Sequence, residues 1–152
     1  MSKEQSGAAA RTRVAAIEGW YTLDEAPHLL GSRCRSCGTY FFPRLMSYCR
    51  NPVCESTVFE DVELSRTGRI WSFTNACYQP PPPYVASDPF VPFAIAAVEL
   101  SAERMIVLGQ VVAGVEVSEL KVGMPVELVL ETLYSEGTTD KVVWKWKPQA
   151  KT

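Results

Sequence analysis

The sequence predicts a mainly β chain in three pieces: a short N-terminal helix, a small cysteine-rich ribbon and a five-stranded Greek-key barrel. Three observations carry this. Four of the five cysteines sit close together, at Cys34, Cys37, Cys49 and Cys54. From Val58 onward the chain becomes a series of stretches rich in β-branched and aromatic residues. One helical turn, Val117 to Met124 with Gly123 to stop it and Ser118 to cap it, falls between the third and fourth of five barrel strands, as in small barrels of the OB type. With 152 residues, 47% hydrophobic and 21% charged, the chain is globular and fits one domain with a small appendage.

In chain order, residues 1–11 read as a tail, polar and alanine-rich, with no apolar stretch of the secretory kind. Val14, Ile17 and Tyr21 recur at helical spacing, which predicts a short helix ending near Gly19 to Tyr21. Leu29 and Leu30 lead into a strand that enters the first cysteine pair. Between the pairs, Thr39 to Tyr48 is strongly aromatic, and a unit this small buries too little to hold such residues alone. The expected barrel strands lie at Gly68–Tyr78, Phe93–Leu100, Met105–Val112, Val126–Tyr134 and Val142–Trp146, with Val58–Leu64 before them. Gln79 to Pro89 is a loop whose successive prolines, Pro80, Pro81, Pro82 and Pro83, cannot donate to a sheet and favour a stiff extended path. The expected boundaries are 1–30 for tail and helical segment, 31–57 for the ribbon and 58–152 for the barrel.

Cys-x-x-Cys, an eleven-residue spacer and a second close pair supply two thiolates from each of two tight turns, which is what a tetrahedral metal site needs. The four cysteines are therefore read as ligands of a structural zinc ion. Gly38 follows the first pair where a knuckle turn can require positive φ. Clustered thiols at metal spacing, with an odd total, favour a reducing cytoplasm over a disulfide framework. The longest apolar run, Val91 to Leu100, is too short to span a bilayer.

Residues Leu30 to Pro43, Val62 to Thr74 and the Pro80 to Tyr84 run resemble the family known as domain of unknown function 35. Val91 to Ala94 and Leu120 to Leu130 resemble its closing strands, so the likeness spans roughly 14–135. The resemblance implies a rubredoxin-like zinc ribbon and an OB-fold. It also implies a non-catalytic partner of a thiolase-fold large subunit, a thiolase or a lipid-transfer-protein-like aldolase, that helps form an acyl-CoA site. The implied setting is degradation of aromatic or steroid side-chain acyl-CoA, with a CoA ester as ligand of the hetero-oligomer. In one respect the sequence departs from the family: four residues separate Cys49 from Cys54 where two are usual.

Other chemistry is scarce. His28 is the single histidine, so there is little material for acid–base relays, and a surface or interface role is expected for it. Cys77, inside a candidate strand with no His or Lys near in sequence, reads as a small buried hydrophobe. Glu60, Asp61 and Glu63 read as a solvated strand face. No phosphate loop or nucleophile elbow is present. The proline loop with Tyr84 is the candidate contact for a partner or acyl chain, because a stiff loop loses little entropy on docking. Phe41, Phe42, Trp71, Tyr78 and Phe90 are candidate interface aromatics, with the core as the alternative for each, and Arg33, Arg35 and Arg44 candidate contacts to acidic surface or CoA phosphates. A free-standing acyl-CoA or lipid-binding module is the alternative. Single-stranded nucleic acid is disfavoured by charge: residues 58–152 carry 8 Lys and Arg against 12 Asp and Glu.

Overall fold

The computed structural model describes residues 11–82 and 84–149. Most of the expected tail, and Pro83, lie outside the described residues. Nine strands are found there: β1 (Thr12–Ala15), β2 (Leu30–Cys34), β3 (Tyr40–Phe41), β4 (Phe59–Glu63), β5 (Thr67–Ala76), β6 (Phe93–Leu100), β7 (Met105–Val111), β8 (Pro125–Glu136) and β9 (Thr139–Pro148).

The ribbon is a three-stranded antiparallel sheet with β2 between β3 and β4. Gly31 in β2 allows the close approach: a Cβ there would lie 2.6 Å from the Phe41 carbonyl oxygen and 3.1 Å from Leu64 Cδ2.

The barrel is closed by β5, β6, β7, β9 and β8 in that order around the ring, with β8 pairing both β5 and β9. β5, β6 and β7 form an antiparallel meander, and β7 runs parallel to β9 through Gln110–Lys145 and Val111–Trp146. This is the five-stranded Greek key expected of an OB-fold. Ile70, Ala94, Ala96, Val98, Leu100, Val107, Val126, Leu128 and Trp146 fill the interior. Their period-two spacing along each strand is what puts them there. Trp146 fits because the facing residue is Gly109, where a Cβ would lie 2.8 Å from Trp144 Nε1 and from Trp146 Cδ1.

The N-terminal helix is not formed. Thr12 to Ala15 is instead a strand that pairs in parallel with Thr139 to Val142, and turns follow it. The cause is the long β8–β9 hairpin, whose free β9 edge needs backbone partners. Side chains reinforce the pairing: Arg11 bonds Asp140 at 2.6 Å and the Tyr21 hydroxyl donates to the Val142 carbonyl at 2.6 Å. The helix-like recurrence of Val14 and Tyr21 comes from a turn that folds back over this hairpin. The second helical turn does form, as a short 3-10 segment over Val117–Glu119, but Glu116 caps it rather than Ser118. The Glu116 N–H donates to the Glu119 carboxylate at 2.7 Å.

Ribbon and barrel share one core. Tyr21, Leu29 and Leu64 belong to the same buried cluster as the barrel residues. Phe42 of the ribbon meets Trp20 edge-on at 5.5 Å and Trp144 of β9 at 5.8 Å. Arg66 adds hydrogen bonds to the carbonyls of Pro27 (2.9 Å) and Leu128 (3.2 Å).

Candidate metal centre

The first knuckle is the turn after β2. The Gly38 N–H donates to the Cys34 carbonyl at 2.9 Å, and Gly38 has φ of 76°, the left-handed conformation expected of it. The second knuckle carries the two additional residues, and they are absorbed locally. The Cys54 N–H donates to the Asn51 carbonyl at 3.0 Å, while the Val53 N–H donates to Asn51 Oδ1 at 3.2 Å. Asn51-Pro52 is thus a side-chain-capped turn that closes on itself. Cys49 is tied back to the strand side by its N–H to the Ser56 carbonyl at 2.9 Å.

These two turns bring all four sulfurs within 4.8 Å of one another. Cys34 and Cys54 Sγ lie 3.8 Å apart, and Cys37 and Cys49 Sγ 3.6 Å apart. Zinc bound to four thiolates at about 2.3 Å places tetrahedral sulfurs about 3.8 Å from each other. The residues fit the ion. Cys34 and Cys49 are buried, Cys54 half-buried and Cys37 exposed, so the site is closed by protein on one side only. The donor set is all sulfur with no open ligand position, which makes the zinc structural.

Without a metal the four thiols are unequal. The Thr39 hydroxyl, 3.2 Å from Cys37 Sγ, holds that thiol down at about 6, whereas burial pushes Cys49 up to about 12. Cys34, Cys37, Cys49 and Cys54 would hold zinc as four thiolates, which would remove the difference. Four thiolates on a dication carry a net charge of −2. Arg33, Arg35 and Glu60 line an open notch of about 580 Å³ beside Cys34 and Cys37. Arg33 also reaches Glu60 at 3.7 Å and lies over the Tyr40 ring at 5.4 Å.

The remaining candidates are scattered rather than gathered into a reaction centre. Arg35 is exposed. Phe41 is half-buried edge-on against Phe59 at 6.3 Å, and Phe42 is engaged with the two tryptophans. Arg44 pairs with Asp61 at 3.2 Å and donates to the Gly19 carbonyl at 3.2 Å. Pro81 and Pro82 are exposed, Pro80 is half-buried, and Tyr84 stacks on Phe93 at 5.9 Å. His28 Nδ1 lies 2.9 Å from the Leu64 carbonyl oxygen at the ribbon–barrel junction, a structural position. Cys77 is a correction: β5 stops at Ala76, and the thiol beyond it is exposed rather than buried.

Two supporting residues were not foreseen in the sequence. Thr39 and Asn51 support the knuckles; the Asn-Pro dipeptide is a turn signal that could have pointed to the second. Trp71 sits at a bulge in β5 where that strand pairs with β6, and is 58% exposed; β7 follows beyond β6 in the sheet. The outward residues there are Ile95, Ala97 and Glu99 on β6 and Ile106, Leu108 and Gln110 on β7, without a Lys or Arg among them.

The fold and the four-sulfur site define a zinc-ribbon protein with an OB barrel. Residues 25–60 match the family described as ChsH2, rubredoxin-like zinc ribbon domain, and residues 61–131 match ChsH2, C-terminal OB-fold domain. The chain belongs to this family, also called DUF35. It is 28% identical over 136 residues to a DUF35 domain-containing scaffold protein of Methanocaldococcus jannaschii, covering 86% of this chain and 87% of that one. It is 48% identical over 50 residues, one third of each chain, to the benzoylsuccinyl-CoA thiolase subunit BbsA of Thauera aromatica. Among solved structures it is similar to a chain of the Ltp2-ChsH2(DUF35) aldolase, with 27% identity, a TM-score of 0.59, and coverage of 80% of this chain and 84% of that one. No helix among the described residues is long and apolar enough to cross a membrane.

Proposed function

We propose that this chain is a non-catalytic subunit that docks on a thiolase-fold large chain in acyl-CoA metabolism and helps assemble it. The observation that carries the reading is the likeness, along four fifths of the chain, to a component of the Ltp2-ChsH2(DUF35) aldolase. The thiolase-subunit relative supports the same class. So does the chemistry within the described residues, where the thiols gathered in one place serve a metal and the single histidine is spent on a backbone carbonyl.

The surface suits a protein partner. Trp71, Ile106 and Leu108 are exposed on the outer barrel face, and Met46, Tyr48, Val53 and Val58 on the ribbon. The strand face that OB-folds use for oligonucleotides has no cation at its outward β6 and β7 positions, so it lacks the attraction that single-strand binding needs. Arg35 and the exposed prolines Pro81 and Pro82 are the contacts we assign to the partner or its CoA ester. Phe42 and Arg44 serve instead to hold the ribbon against the rest of the chain. The setting is the cytoplasm, where thiolates stay reduced and available to zinc.

Co-expression with a thiolase-fold large chain from the same organism tests the proposal. The expected result is a stoichiometric complex, with the large chain losing stability or activity when this chain is withheld. A large chain that is stable and fully active alone would defeat it. An isolated monomer that binds a CoA ester would favour a free-standing acyl-CoA module instead.

A further inference from the structure

The segment after β5 returns across the outside of the barrel, and a cavity of about 340 Å³ lies between it and the strands. Tyr84 and Phe93 form its aromatic wall, with Leu133 also at its edge. Its polar lining includes Ser87 from the returning segment and, from the strands, Gln110 and Lys145, which are register partners on β7 and β9.

Lys145 is the unusual group. Trp144 and Trp146 on either side belong to the core, so the alternation of β9 turns Lys145 to the outer face, yet it remains only 9% exposed. Its ammonium meets one acceptor among the described residues, Glu131 Oε1 at 3.1 Å, and that oxygen also takes the Ala113 N–H at 3.1 Å. An ammonium has three donors, so two are left without a protein partner. These donors open onto the cavity, where an oxygen of solvent or of a ligand can accept from them.

We infer that this cavity is a binding site for a slender apolar or aryl group bearing one carbonyl, whose oxygen accepts from Lys145. The apolar wall sets the shape of the ligand. The Lys145–Glu131 pair sets its charge: the pair is already neutral, so a carboxylate would meet Glu131 repulsion, whereas a neutral thioester, ketone or amide oxygen takes a free N–H without it. An aryl ring and its carbonyl fit easily within the cavity, which is at the small end of the range for ligand sites. The choice of an acyl thioester as the natural source of that carbonyl rests on the function proposed above; the site itself does not.

The test uses the zinc-loaded full chain without any partner and two probes. S-methyl thiobenzoate carries ring, carbonyl and thioester; benzyl methyl sulfide keeps the ring and sulfur but has no carbonyl. Amide resonances of Ala94, Gln110, Ala113 and Gly114 are followed by NMR during titration. The thioester should shift them saturably and bind about tenfold or more tightly than the thioether, the difference a hydrogen bond to a charged donor makes. Lys145→Met, made together with Glu131→Gln so that no lone carboxylate is left, should reduce the thioester to the thioether's affinity. Tyr84→Ala should weaken both probes alike and keep their ratio. Absence of saturable shifts at the cavity, equal binding of the two probes, or an unchanged ratio in the double variant would each overturn the site. Such failures leave the co-expression result untouched, so the two proposals fall separately.

Discussion

Replacing Phe42 by alanine should loosen the ribbon from the barrel while leaving the zinc ligands in place. Phe42 is half-buried and meets Trp20 and Trp144 edge-on at 5.5 and 5.8 Å. A fully buried Phe→Ala change costs about 3–5 kcal/mol, and half burial brings that to about 2 kcal/mol. The two edge-to-face ring pairs add about 0.5–1.5 kcal/mol each beyond area, so the expected loss is about 3–5 kcal/mol. Equilibrium urea unfolding should be followed by far-ultraviolet circular dichroism for the barrel and by a chromogenic chelator for zinc release. In the parent chain the two transitions should coincide, because Tyr21, Leu29 and Leu64 join ribbon and barrel in one core. In the variant the midpoint should fall by about 1 M or more, given slopes of about 1–3 kcal/mol/M, and zinc release should precede barrel unfolding. Coincident transitions with an unmoved midpoint would refute the reasoning, since the aromatic cluster would then contribute nothing to the junction.

Further outcomes follow from other parts of the molecule. Cys34→Ser should abolish zinc retention through dialysis and unfold the ribbon, because metal binding of about 10–16 kcal/mol can supply most of such a unit's folding energy; metal analysis and amide spectra check this, and retained zinc would contradict it. Gly109→Ala drives a methyl group to 2.8 Å from both tryptophans and should cost about 1–3 kcal/mol, visible as a lowered Tm. Asp140 is held at about 2 by the Arg11 guanidinium and the Ser135 hydroxyl, so it contributes stability above the ordinary carboxylate range that is lost as pH falls through about 2. The Thr12 and Ala16 amides should accordingly shift toward random-coil positions as pH falls from about 4 to 2, before those of the barrel interior, and should do so already at neutral pH in Asp140→Asn. Arg35→Glu should weaken assembly with the large chain or its response to CoA ester, measured by co-purification and turnover; unchanged values would remove Arg35 from the contact surface.

What could be read from the residues alone depended on whether the signal was local. The cysteine spacing specified the metal site because each pair acts through its own turn, and even the widened Cys49–Cys54 interval left the sulfurs free to converge. The barrel strands were legible from their residue types, and the glycine-stopped turn placed them in order. The N-terminal segment was misread because its structure is decided elsewhere: β1 exists only because β9 offers an edge, and the partner is more than a hundred residues away. Cys77 was misplaced because the pattern of β5 continues past the point where its pairing stops. The Lys145–Glu131 pair could not be foreseen, since it depends on cross-strand register and on a loop from a third part of the chain.

The second knuckle has a consequence for how such chains diversify. Its additional residues are satisfied by Asn51 alone, and the tip they create carries Val53 almost fully in solvent, at 91% exposed. Length at this position is therefore decoupled from the coordination chemistry beneath it. A lineage can lengthen or recompose the tip without moving a sulfur atom, so the knuckle can serve as an adjustable key while the metal remains a constant hinge pin.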